Sequence, residues 1–260
     1  MALEYLKFFS IGLLDGILSG LLGIGGGVLI LPILLYTTNI EVRVATAISA
    51  IQVFFASSFG TLFNWLQKTI NFKYALIFGI PSAITYFLGS YFTKFIPKNI
   101  IIIIYLCAAI LALVLFFIKR GKNKHNNNLE LSAIRVPKKK DYLKIIPISL
   151  FTGFAFGVLG VGGGFLYVPL LVLLFDLPIR VAIGTSLMIV FSNAVPGIVG
   201  KLLSIRFNIF IGLAVALGAI AGAKIGTYIN KKVGNKLIRV IFIILLSIII
   251  IRVILDIFIF

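Results

Sequence analysis

Two glycine clusters are placed to do chemistry: Gly23-Ile24-Gly25-Gly26-Gly27, trailed by Pro32, and Gly160-Val161-Gly162-Gly163-Gly164, trailed by Pro169. Contiguous glycines cost a helix about 1 kcal/mol each against alanine and leave the backbone free to turn. A short helix that restarts after such a break presents unbonded N–H groups and a partial positive charge, and the missing Cβ atoms let a ligand approach the main chain. The chemistry implied is capture of a small anion by backbone amides, with Gly25, Gly26, Gly27, Gly162, Gly163 and Gly164 as substrate-binding candidates. Neutral donors follow each cluster: Ser49 and Gln52 after the first, Thr185, Ser186 and Asn193 after the second. Ser49 with Gln52, and Ser186 with Asn193, fall on roughly one helix face and could donate to an oxyanion. The competing reading has the hydroxyls bonding carbonyls of their own helix and the amides gluing helices together.

Ionisable groups inside apolar stretches are expensive and mark function by default, which makes Asp15, Arg43, Arg180 and Lys224 candidate anion or coupling residues. Asp15 reads as a proton carrier or a paired acid, and Thr152 stands in its place in the second half. Arg43 and Arg180 lie near span ends, where snorkelling accounts for them as well, and the long stem of Lys224 reaches an interface too. Asn64 and Lys201 also sit at span ends and read as interfacial. Other chemistries find no support. Neither cluster completes G-x-G-x-x-G, because Val28 and Phe165 hold the last position, so a dinucleotide site is excluded. One cysteine, Cys107, and one histidine, His125, make no zinc pattern. With no His/Cys/carboxylate constellation, the expectation is no enzyme, no catalytic residue, no metal and no cofactor.

The elements that must position these residues are membrane helices. Apolar residues make up 61% of the chain and the mean hydropathy is +1.18, far above soluble domains. Candidate spans lie at about 43–66, 74–95, 99–119, 180–202, 207–230 and 237–258, each near the ~20 residues that cross a bilayer. The regions of about 5–37 and 142–174 hold the breaks, and each is too long for one straight crossing: helix, turn, half-helix. Unwound backbone at membrane depth is tolerated where protein buries it or water reaches it, so the breaks are expected to line a solvent-reachable cavity. The clusters are 137 residues apart, and the same offset relates Gly16 to Gly153, Gly20 to Gly157, Arg43 to Arg180, Ser49 to Ser186 and Gly89 to Gly226. Phe72 and Phe207 depart from it by two, which suggests compensating indels. The glycines at four-residue spacing, Gly12/Gly16/Gly20 and Gly218/Gly222/Gly226, read as close helix packing. The organisation is therefore a first membrane repeat over 1–119, a basic linker over 120–141 and a second repeat over 142–260. The net charge of +17 concentrates at span ends and in the linker, which places the linker in the cytoplasm and excludes nucleic acid as partner. The N-terminal apolar run lacks a cleavage pattern and reads as mature structure.

The doubled G-x-G-G-G-x-x-x-x-P element, with Arg43-Val44-Ala45 and Arg180-Val181-Ala182-Ile183-Gly184-Thr185-Ser186 opening the next spans, resembles the TauE/SafE family of sulfite and organosulfonate exporters over essentially the whole chain. The first half departs from it, with Ala45-Thr46-Ala47-Ile48-Ser49 where a Thr-Ser pair belongs. The resemblance implies a secondary transporter of sulfite, organosulfonate or a related sulfur oxyanion in the plasma membrane, driven by a coupling proton or sodium ion. The expected fold is all-α and polytopic: two tandem repeats of about four helical segments, each starting with a re-entrant broken helix, inverted rather than parallel. The partners are a small anionic substrate and the lipid bilayer, with a homodimer left open. An anion channel and a non-transporting membrane assembly protein are the alternatives.

Overall fold

The computed structural model describes residues 2–38, 40–117, 137 and 139–259. Most of the 120–141 segment lies outside the described residues. Among those described are ten α-helices: α1 (Ala2–Leu22), α2 (Ile30–Thr37), α3 (Val42–Leu66), α4 (Phe72–Phe92), α5 (Lys98–Phe117), α6 (Lys139–Leu159), α7 (Gly164–Phe175), α8 (Ile179–Ser204), α9 (Ile209–Lys232) and α10 (Asn235–Ile259). Eight of them are long and apolar enough to cross a membrane, α2 and α7 being the short ones. α6 starts at Lys139, inside the stretch read as linker.

The molecule is apolar on the outside and holds a set of polar residues within its apolar core. Leu76, Ile80, Ile84 and Leu88 form an exposed row along α4, and Ile244, Ile248, Ile251 and Leu255 form one along α10. Such rows would aggregate in water; in a bilayer they face lipid tails. Ser49, Gln52, Thr185, Ser186 and Asn193 are buried instead. α3 and α8 are the most enclosed spans and cross antiparallel. Thr46 meets Lys201, the Phe54 and Phe191 rings lie 6.0 Å apart, and Gly60 faces Leu187.

Small residues set the remaining pairings. Gly12, Gly16 and Gly20 of α1 lie on Val215, Ala219 and Ala223 of α9 in the same sequence order, so the two helices run parallel, backbone against backbone. Gly153 and Gly157 of α6 lie on Ser82 and Tyr86 of α4 in the same way. These two interfaces are related by the offset of 137. So are the helix starts: Asn71 caps α4 by accepting from the Tyr74 N–H, and Asn208 caps α9 by accepting from the Phe210 N–H. The constant offset through both caps removes the need for the indels that Phe72 and Phe207 suggested. Those two phenylalanines are not equivalent residues.

Each break is a reversal in the path of the chain. Gly23, Gly25 and Gly26 have φ of +72°, +73° and +78°, and Gly160, Gly162 and Gly163 have +67°, +74° and +80°. These are left-handed values that L side chains adopt only at a penalty. After the first break α2 runs back along α1, and Lys7 Nζ donates to the Thr37 carbonyl at 2.7 Å, tying the end of α2 to the second turn of α1. After the second, Tyr74 gathers both ends of the pair α6 and α7. Its hydroxyl donates to Asp141 at 3.5 Å, and its ring lies 5.1 Å from that of Phe175.

A Cβ on Gly16 would lie 2.7 Å from the Ala219 Cα, with only backbone to yield. Gly16→Leu is therefore expected to destabilise the protein by about 2–3 kcal/mol, seen as a fall of several degrees in the thermal unfolding midpoint in detergent. Gly234→Leu, with nothing within 4 Å, serves as the control and is expected to leave the midpoint in place.

Candidate functional site

The two breaks meet face to face in the protein interior. A Cβ on Gly27 would strike the backbone of Val161, and one on Gly164 would strike that of Ile24; the two contacts are again related by the 137 offset. Every residue of 21–28 and of 156–171 is buried. In this conformation the breaks do not line an open cavity, contrary to expectation. They are closed by each other, by Val53 and Val190, and by the Gln52 carboxamide, which fills the space a Cβ on Gly26 would need.

Serine hydroxyls hold this contact. Ser49 of α3 donates to the Gly160 carbonyl at 3.0 Å, and Ser186 of α8 donates to the Gly23 carbonyl at 3.0 Å. The Ser186 hydroxyl also lies 3.2 Å from the Gly164 carbonyl and so bridges both breaks. Each serine thus secures a carbonyl freed where a helix of the opposite half ends. The neighbouring carbonyls are secured in the same fashion. Asn230 donates to Leu21 at 2.6 Å, and Thr93, the residue 137 positions before it, lies 3.2 Å from the Val158 carbonyl. Tyr105 donates to Val28 at 2.5 Å, and the Gly162 N–H donates to the Tyr86 hydroxyl at 3.2 Å.

The start of α2 is where the halves differ. Asp15 is fully buried; Gln52 Nε2 donates to its Oδ2, and the backbone N–H groups of Leu29 and Ile30 face the same carboxylate. A carboxyl group of the protein itself thus occupies the half-helix N-terminus that the sequence marks for an external anion. At α7 the corresponding place is neutral: Thr152 and Asn193 both lie 3.3 Å from the Tyr167 hydroxyl, and Ser82 donates to Asn193 at 2.6 Å.

Six candidate glycines, Ser49, Ser186, Gln52, Asn193 and Asp15 therefore come together around the breaks. Thr185, Arg43, Arg180 and Lys224 do not. Thr185 accepts from the Asn71 N–H at 2.9 Å and fixes the start of α4. Arg43 donates to the Ile96 carbonyl at 3.2 Å, and Arg180 to the Val233 carbonyl at 3.1 Å, stapling helix ends at positions related by the same offset. Lys224 is exposed on a surface cleft of about 580 Å³ between α3 and α9, which Lys231 and Gln67 also line.

Lys201 is the residue whose position in the sequence misled. It is 1% exposed, and its ammonium donates to Thr93 at 2.7 Å, the Val158 carbonyl at 2.8 Å and Thr46 at 3.0 Å. All three contacts of its Nζ lie at the carbonyl end of α6. Its offset partner, Asn64, is also buried and polar at the same place in α3, and the burial of both is what the sequence does not show. No group of three or more His, Cys, Asp or Glu able to hold a metal lies among the described residues.

A family profile described as sulfite exporter TauE/SafE matches residues 8–253. The probable membrane transporter protein YunE of Bacillus subtilis (strain 168) is 30% identical over 255 residues, covering 91% of this chain and 92% of the relative. The probable membrane transporter protein MJ0441 of Methanocaldococcus jannaschii is 28% identical over 251 residues, 88% of each chain. YdhB of Bacillus subtilis, another probable membrane transporter protein, is 27% identical over 233 residues. No solved structure matches the chain.

Ser49→Ala and Ser186→Ala each strand a buried carbonyl. Each is expected to lower stability by about 1–3 kcal/mol, the larger loss at Ser186, which bridges two carbonyls. Unfolding in detergent by heat or denaturant checks the size and the order.

Proposed function

The chain belongs to the sulfite exporter TauE/SafE family of membrane transporters, and on that premise we propose that it is a secondary carrier of small sulfur oxyanions, sulfite or an organosulfonate, that works by alternating access at the paired breaks. The observation that carries the proposal is the reciprocal bonding of the breaks, Ser49 to Gly160 and Ser186 to Gly23. A site built from both halves, with each half holding the backbone of the other, opens to one side or the other when the halves rock. The conformation described is the closed one. Opening frees the two hydroxyls and the half-helix amides, and these are the donors an oxyanion needs. The burial of both breaks suits a carrier caught between openings better than a channel, which needs a continuous polar path.

The topology that goes with this reading is two inverted repeats, each opening with a re-entrant pair. The Lys7–Thr37 bond and the double contact of Tyr74 support re-entry, because each puts the end of a short helix level with the start of the long one before it. The antiparallel crossing of α3 and α8, which are equivalent by offset, supports inversion; parallel repeats would run them the same way. The repeats are 1–119 and 142–260, and the basic linker 120–141 lies in the cytoplasm with the protein in the plasma membrane.

Gly26 and Gly163 are the positions to test, since each combines a left-handed φ with a filled neighbourhood: the Gln52 amide at one, the Phe156 ring at the other. Purified Gly26→Val and Gly163→Val in proteoliposomes are expected to lose at least tenfold of a saturable sulfite flux while still inserting as folded protein. Wild-type flux in both variants would overturn the assignment of the site.

A further inference from the structure

Asp15 sits among atoms that lack partners. Its Oδ1, the Oε1 of Gln52 and the hydroxyl of Ser19, one turn further along α1, make no hydrogen bond among the described residues, and all three residues are fully buried. Among the described residues no positive side chain faces Asp15. α2 presents the Leu29 and Ile30 amides, α3 the neutral Gln52, and α5 the Tyr105 hydroxyl, whose proton goes to the Val28 carbonyl. α9 presents the small residues Val215, Ala219 and Ala223 to the adjoining turns of α1, and Arg252 of α10 lies over the Tyr36 ring on α2. A buried carboxylate with one oxygen unpaired and no cation beside it calls for a positive charge from outside the protein.

Resting on the reading of the breaks as an oxyanion site, we propose that Asp15 carries the coupling proton and that anion and proton are transported together. A hydronium ion gives one proton to Asp15 Oδ1, its O–H bond breaking as the carboxyl O–H forms and water leaving, and the neutral carboxyl can donate to the Gln52 Oε1 acceptor that now lacks a partner. The carboxylate no longer competes for the α2 amides, and they turn to the incoming anion. Without the proton, two negative charges would share one half-helix terminus in a low-dielectric interior. A monoanion and one proton enter with no net charge. Sodium fits less well, because the N–H groups facing the carboxylate repel a metal ion, whereas a proton needs a single acceptor. The second half has Thr152 and Ile189 at the equivalent places, so each protein carries one such site.

The test uses methanesulfonate, which stays singly charged across neutral pH, with wild type and Asp15→Asn in proteoliposomes containing a pH-sensitive dye. An inward methanesulfonate gradient is expected to acidify the lumen with wild type by about one proton per anion. In Asp15→Asn the protons moved per anion fall at least tenfold, and the anion flux no longer changes with pH. Anion entry without acidification in wild type, or flux driven by a sodium gradient in place of a proton gradient, would overturn the proposal. An infrared titration of the purified proteins reads the same group without transport. A protonated-carboxyl band present in wild type and missing in Asp15→Asn supports proton binding at Asp15; identical spectra across the titration contradict it. If the band is present but no anion moves, protonation of Asp15 stands and the transport reading fails.

Discussion

Backbone that leaves a helix inside hydrocarbon must find partners for its freed carbonyls and amides, since each left bare costs several kcal/mol. In this protein several of those partners come from the other half of the chain. The Gly23 and Gly160 carbonyls are held by Ser186 and Ser49, and the glycines bring the two breaks so close that Gly27 and Gly164 have no room for a Cβ. Under the proposed function, the transport site and the contact that holds the halves together are the same atoms, and motion of one half against the other would exchange protein partners for ligand or water.

The surrounding structure serves that exchange. Small residues bring α1 against α9 and α6 against α4 along their lengths, which lets each long helix of a broken pair move with its neighbour as one body. Lys201 puts a buried amine at the carbonyl end of α6, and Asp15 puts a buried carboxyl group at the amide end of α2. Their offset partners, Asn64 and Thr152, are neutral. The pattern of contacts repeats between the halves, but the ionisable residues do not, and it is this asymmetry that the proposed proton coupling at Asp15 uses.

Much of the fold is legible in the chain itself. Glycine runs and apolar lengths locate the breaks and the long spans to within a few residues, because both depend on local backbone physics and on the thickness of a bilayer. The site is legible only in part. Ser49, Ser186, Gln52 and Asp15 declare themselves as polar groups in apolar surroundings, and all four lie at the breaks. Lys201 does not, because a lysine three residues from the end of α8 looks interfacial until α4 and α6 are known to cover it. Tyr86 and Tyr105 escape notice for a related reason: an aromatic ring in a span looks like packing, and the hydroxyl matters only through its reach to Gly162 or Val28. Arg43 and Arg180, which look like anion ligands by charge, are taken up by carbonyls at helix ends. Closure of the breaks is likewise a tertiary fact that no spacing encodes.

Side-specific thiol labelling at the centre of the first break is the most direct test of this account. Ile24, fully buried against Gly164, would be changed to cysteine in a Cys107→Ser background, Cys107 being the native thiol and exposed. Alternating access predicts that membrane-impermeant reagents reach position 24 from each face in turn during turnover and that sulfite slows the reaction from both. A thiol that stays unreactive from both faces while sulfite is being transported would contradict the placement of the site at the breaks.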